Sequence, residues 1–164
     1  MKGRVLVIAG SDSSGGAGIQ ADIKTITALN GFAMTAITAL TAQNTNVVSN
    51  IHKIPPEFVA EQIRITIEDI GVDAIKTGMM VDAPIIESAA DVLDDLGSGV
   101  PWIIDPVMVS TARDRLLDMD AIESLKERLI SRASLVTPNM AEAEVLAGIT
   151  VSNPKEMISA GKAI

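Results

Sequence analysis

The sequence predicts an α/β fold built on a mostly parallel central sheet, and three observations predict it. Short apolar runs alternate with amphipathic segments along all 164 residues. Most of the runs are continuously apolar, as strands buried on both faces must be. The first of them ends in a glycine-rich turn that opens a helix, in the stretch Val5-Leu-Val-Ile-Ala-Gly-Ser-Asp-Ser-Ser-Gly-Gly-Ala-Gly-Ile-Gln-Ala-Asp22. This succession implies βαβ units, right-handed crossovers and helices on both faces of the sheet.

Taken in order, a first strand falls near Val5–Ala9 and a helix near Gly16–Leu29, followed by a strand near Ala33–Thr41. The helix near Pro56–Ile70 carries Val59, Ile63, Ile67 and Ile70 at helical spacing. A strand near Ala74–Thr77, a helix near Pro84–Leu96 and a strand near Trp102–Asp105 come next. The helix near Asp120–Ile130 sets Ile122, Leu125 and Leu129 opposite Glu123, Lys126, Glu127 and Arg128. A strand near Leu135–Thr137 and a helix near Met140–Ala147 follow. Asn153 as cap and Pro154 at the first helical position start a last helix that runs to Ile164. In such a succession the next element would be a strand. Either this last helix docks at the edge of the sheet, or the chain is a piece of one longer domain, truncated on its C-terminal side; the second is the expectation.

Composition narrows the partners. With 13 Lys+Arg against 21 Asp+Glu, a net charge of −8 argues against a nucleic-acid backbone or an anionic membrane surface. The absence of cysteine excludes disulfides and thiolate metal sites and fits a cytoplasmic location. The apolar run after Met1-Lys2-Gly3-Arg4 is too short for a signal segment or a membrane span.

The turn after the first strand is neither a Walker A loop, lacking the Lys-Ser/Thr, nor a dinucleotide fingerprint, lacking the third glycine. Glycines beside Ser11, Asp12, Ser13 and Ser14 at a helix N-terminus would present backbone N–H groups to an anionic or strongly polar ligand. A plain tight turn is the alternative. Other polar residues cluster where strands end, the edge at which open α/β sheets hold ligands. Gln43 offers a donor and an acceptor to a heterocyclic edge, or is a polar loop residue. Met79 lines an apolar wall or fills core. Asp105, before Pro106, holds a divalent cation or starts a turn. Asn139 and Glu142 form a capping box, face a metal, or do both. His52, between predicted elements, reads as a solvated surface residue.

Five segments in register resemble one family. Ala9–Asp22, Thr38-Ala-Leu-Thr-Ala-Gln-Asn44, Ile75-Lys-Thr-Gly-Met79, Asp105-Pro-Val-Met-Val109 and Thr137-Pro-Asn-Met-Ala-Glu142 are similar to the hydroxymethylpyrimidine/phosphomethylpyrimidine kinases of thiamine biosynthesis. The resemblance implies a ribokinase-like three-layer α/β/α fold and phosphoryl transfer from ATP, with Mg²⁺, to a pyrimidine alcohol and then to its monophosphate. A homodimer also fits the family. By the same resemblance Gly10, Asp22, Gln43, Met79 and Val107 bind the acceptor, Asn139 and Glu142 the nucleotide, and Asp105 and Glu142 the metal. Two departures stand out. The family's usual Lys-Ser-Gly-Asp run reads Ser110-Thr-Ala-Arg113-Asp114 here. Its Gly-x-Gly anion hole, catalytic Cys or Asp and most of its adenine pocket are expected beyond Ile164, so these residues alone should turn over little or nothing. A pyridoxal-type kinase of the same superfamily and a non-catalytic pyrimidine-binding domain are the competing expectations.

Overall fold

The computed structural model describes residues 3–108, 117 and 119–164. Six strands form one sheet in the order β3-β2-β1-β4-β5-β6. They are β1 (Arg4–Asp12), β2 (Phe32–Gln43), β3 (Val48–Lys53), β4 (Ala74–Thr77), β5 (Trp102–Ile104) and β6 (Leu135–Val136). All neighbours pair in parallel except β3, which runs antiparallel to β2. From β1 the chain first moves outward through β2 and β3. It then crosses back to β4 on the other side of β1 and continues to β5 and β6. The order therefore reverses between β1 and β4, and such a switch point leaves a crevice at the strands' C-terminal ends.

The helices are α1 (Gly18–Ala28), α2 (Pro56–Ile70), α3 (Ala83–Leu96), α4 (Met119–Ser124), α5 (Met140–Ala147) and α6 (Pro154–Ala163). Successive β1 side chains point to opposite faces. Leu6 and Ile8 join the larger core with Val59, Ile63 and Ile67 of α2 and Ile85, Ile86, Ala89 and Leu93 of α3. Val7 and Ala9 pack on the other face against Ile19 of α1. Both faces carry helices, as expected, but unequally.

Three boundaries differ from the sequence reading for physical reasons. β3, with His52 in it, was not foreseen, because Val48-Ser-Asn-Ile-His-Lys lacks an apolar run. A half-exposed edge strand needs none, and His52 is exposed on it. Helix α1 starts at Gly18 rather than Gly16, because the preceding residues fold around Asp12. The amphipathic segment after residue 119 is helical but not uniformly α: α4 passes into a π turn over Leu125–Leu129 and a 3₁₀ turn over Ile130–Arg132. Its apolar stripe still buries Ile122, Leu125 and Leu129.

Candidate active site

A cavity of about 410 Å³ opens at the switch point. Gly10 from β1, Asp22 from α1 and Gln43 from the end of β2 line it, with Met79 from the segment after β4. Asp105 and Val107, which follow β5, and Asn139 and Glu142, which follow β6, complete the set singled out from the sequence. Five strand ends, with helix α1, thus bring all eight to one cavity. The loop Ser110-Thr-Ala-Arg113-Asp114 lies outside the described residues, as does Val109.

The glycine-rich turn is organised around its own acid. The Asp12 carboxylate takes N–H groups of the turn ahead of α1, while α1 itself carries no side-chain cap bond. Asp12 is buried and accepts hydrogen bonds from Gly16 N–H at 3.0 Å, Ala17 N–H at 2.8 Å and Ser14 N–H at 2.8 Å. The Ser14 hydroxyl donates to it at 2.7 Å. Burial alone would raise the Asp12 pKa; the Ser14 hydroxyl and the three N–H groups outweigh it and hold the carboxyl below its usual range. An internal anion thus holds the turn that leads into α1. Glycine is still required here: Gly18 has φ +55, and a Cβ on it would lie 2.4 Å from the Gly10 carbonyl oxygen.

The residues on the Gly10 side of the cavity are held from behind. Gln43 N–H and C=O each lie 2.8 Å from Ser13 Oγ. Its Oε1 is 3.1 Å from Thr41 Oγ1, which also reaches the Ser11 carbonyl at 2.9 Å. The amide nitrogen has no partner among the described residues. Met79 runs so close beneath Gly10 that a Cβ there would meet Met79 Cε at 2.5 Å. Val107 closes a three-residue turn around Pro106 by donating its N–H to the Asp105 carbonyl at 2.9 Å.

Lys76 also lines the cavity, and the sequence reading assigns it no role. Among the described residues it is the one cation lining the cavity. Its Nζ lies 2.9 Å from Asp22 Oδ2 and 3.5 Å from Asp105 Oδ2, tying α1 to the ends of β4 and β5. A basic residue inside an apolar strand, between two acids elsewhere in the chain, was the available signal.

Asn139 and Glu142 form the capping box of α5. Asn139 Oδ1 accepts from Glu142 N–H at 3.0 Å, and Glu142 Oε2 accepts from Asn139 N–H at 2.9 Å. Glu142 is buried, and burial pushes its carboxyl above the usual range. Backbone N–H groups of Asn139 and Met108 oppose the shift, and the nearby Asp105 charge adds to it. A like-charged pair of carboxylates beside a cavity suits Mg²⁺, which takes one or two protein carboxylates and completes its shell with phosphate and water. Among the described residues there is no cage of three or more His, Cys, Asp or Glu side chains. No helix among them is long and apolar enough to cross a membrane.

Residues 12–164 match the family model described as phosphomethylpyrimidine kinase. The chain is 48% identical over 161 residues to the thiamine biosynthesis bifunctional protein ThiED of Geobacter sulfurreducens, covering 98% of this chain and 33% of that protein. It is 46% identical over 161 residues to the hydroxymethylpyrimidine/phosphomethylpyrimidine kinase of Mycobacterium leprae, covering 98% and 58%. The crystal structure of phosphomethylpyrimidine kinase from Clostridium difficile superposes with a TM-score of 0.90 at 41% identity, covering 98% of this chain and 69% of that one. Pyridoxal kinase from Staphylococcus aureus in complex with AMP-PCP and pyridoxal superposes at 0.86 with 34% identity, covering 98% and 57%. The chain spans between a third and three-fifths of the length of the curated relatives named here.

Proposed function

The chain belongs to the phosphomethylpyrimidine kinase family and has its ribokinase-like α/β fold; on that premise we propose that residues 1–164 form the N-terminal, acceptor-binding part of a single kinase domain. The reaction is ATP-dependent phosphorylation of 4-amino-5-hydroxymethyl-2-methylpyrimidine and then of its monophosphate. One observation carries the reading: two apolar side chains, a side-chain amide and a carboxylate pair line one cavity at the switch point.

Each group has a physical task. Met79 and Val107 supply apolar surface to the two faces of a heteroaromatic ring. Gln43, whose oxygen is engaged by Thr41, turns its amide N–H groups to a ring nitrogen. Gly10, having no side chain, leaves room for the Met79 thioether beside it. Asp22, steadied by Lys76, receives a polar substituent of the acceptor. Asp105 and Glu142 would hold Mg²⁺, with Asn139 beside the nucleotide phosphates. Bound there, the metal would neutralise charge on the transferring phosphoryl group, which is most of what such a reaction requires of a protein.

The pyridoxal kinase neighbours make a vitamin B6 alcohol the natural competitor. Isothermal titration of the chain with hydroxymethylpyrimidine and with pyridoxal tests the choice. At least tenfold tighter binding of the pyrimidine is expected, and equal or reversed affinities would sink it. Incubation with ATP·Mg²⁺ tests the second half of the proposal, since residues 1–164 alone should bind the alcohol without normal turnover.

A further inference from the structure

Two backbone irregularities meet at Met79, and the reading above uses neither. The first is in the pairing of β1 with β2. Ala9 faces Ile37 and Ser11 faces Leu40, so Thr38 and Ala39 together oppose the single residue Gly10. A bulge of this kind bends the strand and re-aims a side chain. Along β2 the alternation that buries Met34, Ala36 and Thr38 breaks there, with Thr38 and Ala39 both buried. The fully buried Thr38 donates its hydroxyl to the Met79 carbonyl at 2.7 Å, from β2 past β1 to the segment after β4. Gly10 lies between them, the position where a side chain would collide with Met79.

The second irregularity follows Met79. Asp82 N–H donates to the Met80 carbonyl at 2.9 Å, closing a three-residue turn around Val81 at φ 71. A β-branched residue at positive φ is a genuine outlier, and strain of this kind persists only where the surroundings over-determine it. Here they do. Val81 and Met80 are buried in the core, Asp82 caps α3 by accepting from Ile85 N–H at 3.2 Å, and Lys53 of β3 pairs with Asp82 at 2.7 Å.

We propose that Thr38 is a positioning residue for acceptor recognition: its buried hydroxyl and the strained turn at Val81 clamp Met79 from both sides. The clamp fixes the backbone from which the Met79 thioether enters the cavity that Val107 also lines. The proposal rests on the acceptor reading in taking Met79 as a wall of the cavity. Thr38→Val keeps shape and volume but strips the Met79 carbonyl of its donor. Thr38→Ser restores the donor.

The test is run on the chain labelled with ¹³C-methyl methionine, the Met79 signal being assigned with Met79→Leu. Thr38→Val is expected to shift or broaden the Met79 methyl resonance and to weaken hydroxymethylpyrimidine binding about tenfold. Thr38→Ser is expected to leave the resonance in place and the affinity within about twofold. Val81→Gly, which releases the turn without touching β2, provides a second route to the same broadening should Thr38→Val fail to fold. An unmoved Met79 signal in these variants, or equal alcohol affinity in Thr38→Val and the unsubstituted chain, would overturn the proposal while the acceptor reading stood. Failure of the unsubstituted chain to bind the alcohol would overturn the acceptor reading itself.

Discussion

Lys76 Nζ stands 2.9 Å from Asp22 Oδ2 and leans toward Asp105, so one ammonium serves an acid on α1 and an acid after β5. All three side chains are partly shielded from water, with 22% of Lys76 and of Asp22 exposed. Pairs in this intermediate setting outweigh fully exposed ones but are still partly screened. Lys76→Met leaves two carboxylates facing the same cavity. The expected cost is about 1–2 kcal/mol of stability, read as a lower urea midpoint at unchanged m. Alcohol affinity should fall with it, since Asp22 loses the group that holds it.

Two glycines of the first turn separate function from folding. A Cβ on Gly10 meets the far end of a flexible methionine, whereas a Cβ on Gly18 meets a backbone oxygen at 2.4 Å and also demands φ +55. Gly10→Ala should leave stability within about 1 kcal/mol and weaken alcohol binding about tenfold, because Met79 swings into the cavity. Gly18→Ala should cost roughly 2–3 kcal/mol or more. Paired melting and titration experiments distinguish the two. Similar losses of stability in both would contradict the geometry.

Acid sensitivity should come largely from Asp12 and Asp73. Asp73 takes the Arg4 guanidinium and Arg4 N–H, which hold it well below the usual carboxylate range. Asp12 is held low by the Ser14 hydroxyl and three N–H groups against the effect of its burial. A carboxyl with a lowered folded pKa stabilises the fold above its unfolded value, near 3.9, and that contribution fades as pH falls toward the folded value. Asp12→Asn turns an amide NH₂ toward N–H donors and should cost about 2–3 kcal/mol at pH 7. Its disadvantage against the unsubstituted chain should shrink below pH 4. A difference independent of pH would place the effect elsewhere.

What was legible in the sequence follows from which signals are local. Val59, Ile63 and Ile67 announce their helix by periodicity, and Leu6 and Ile8 their strand by a continuous apolar run, whereas the strand order that makes the switch point came from the structure. The eight site residues came from motifs whose strand ends converge. Three further features were not legible. The β3 edge strand buries too little to leave an apolar signature. The Asp12 carboxylate, which could have been read as a ligand-facing group, folds back on its own loop over five residues. The Thr38 bond to Met79 joins positions 41 residues apart through a bulge that shifts register without a marker in the sequence.

Glu142 carries the opposite sign of pH dependence and so shows whether the site is kept at a cost to the fold. Burial, and then the Asp105 charge, raise its carboxyl while the two N–H groups restrain the rise. An acid with a raised folded pKa adds nothing when both states are protonated, and it destabilises the fold as pH climbs from the unfolded value through the folded one. Gln is accepted at this position of a capping box, so Glu142→Gln can keep the bond from Asn139 N–H. The variant should therefore match the unsubstituted chain near pH 4 and equal or exceed its stability at pH 8, as urea midpoints at the two values will show. Binding of Mg²⁺ with nucleotide, followed by calorimetry, should weaken in the same variant. A Glu142→Gln protein that loses stability at pH 8 while binding metal normally would make the carboxylate a cap alone.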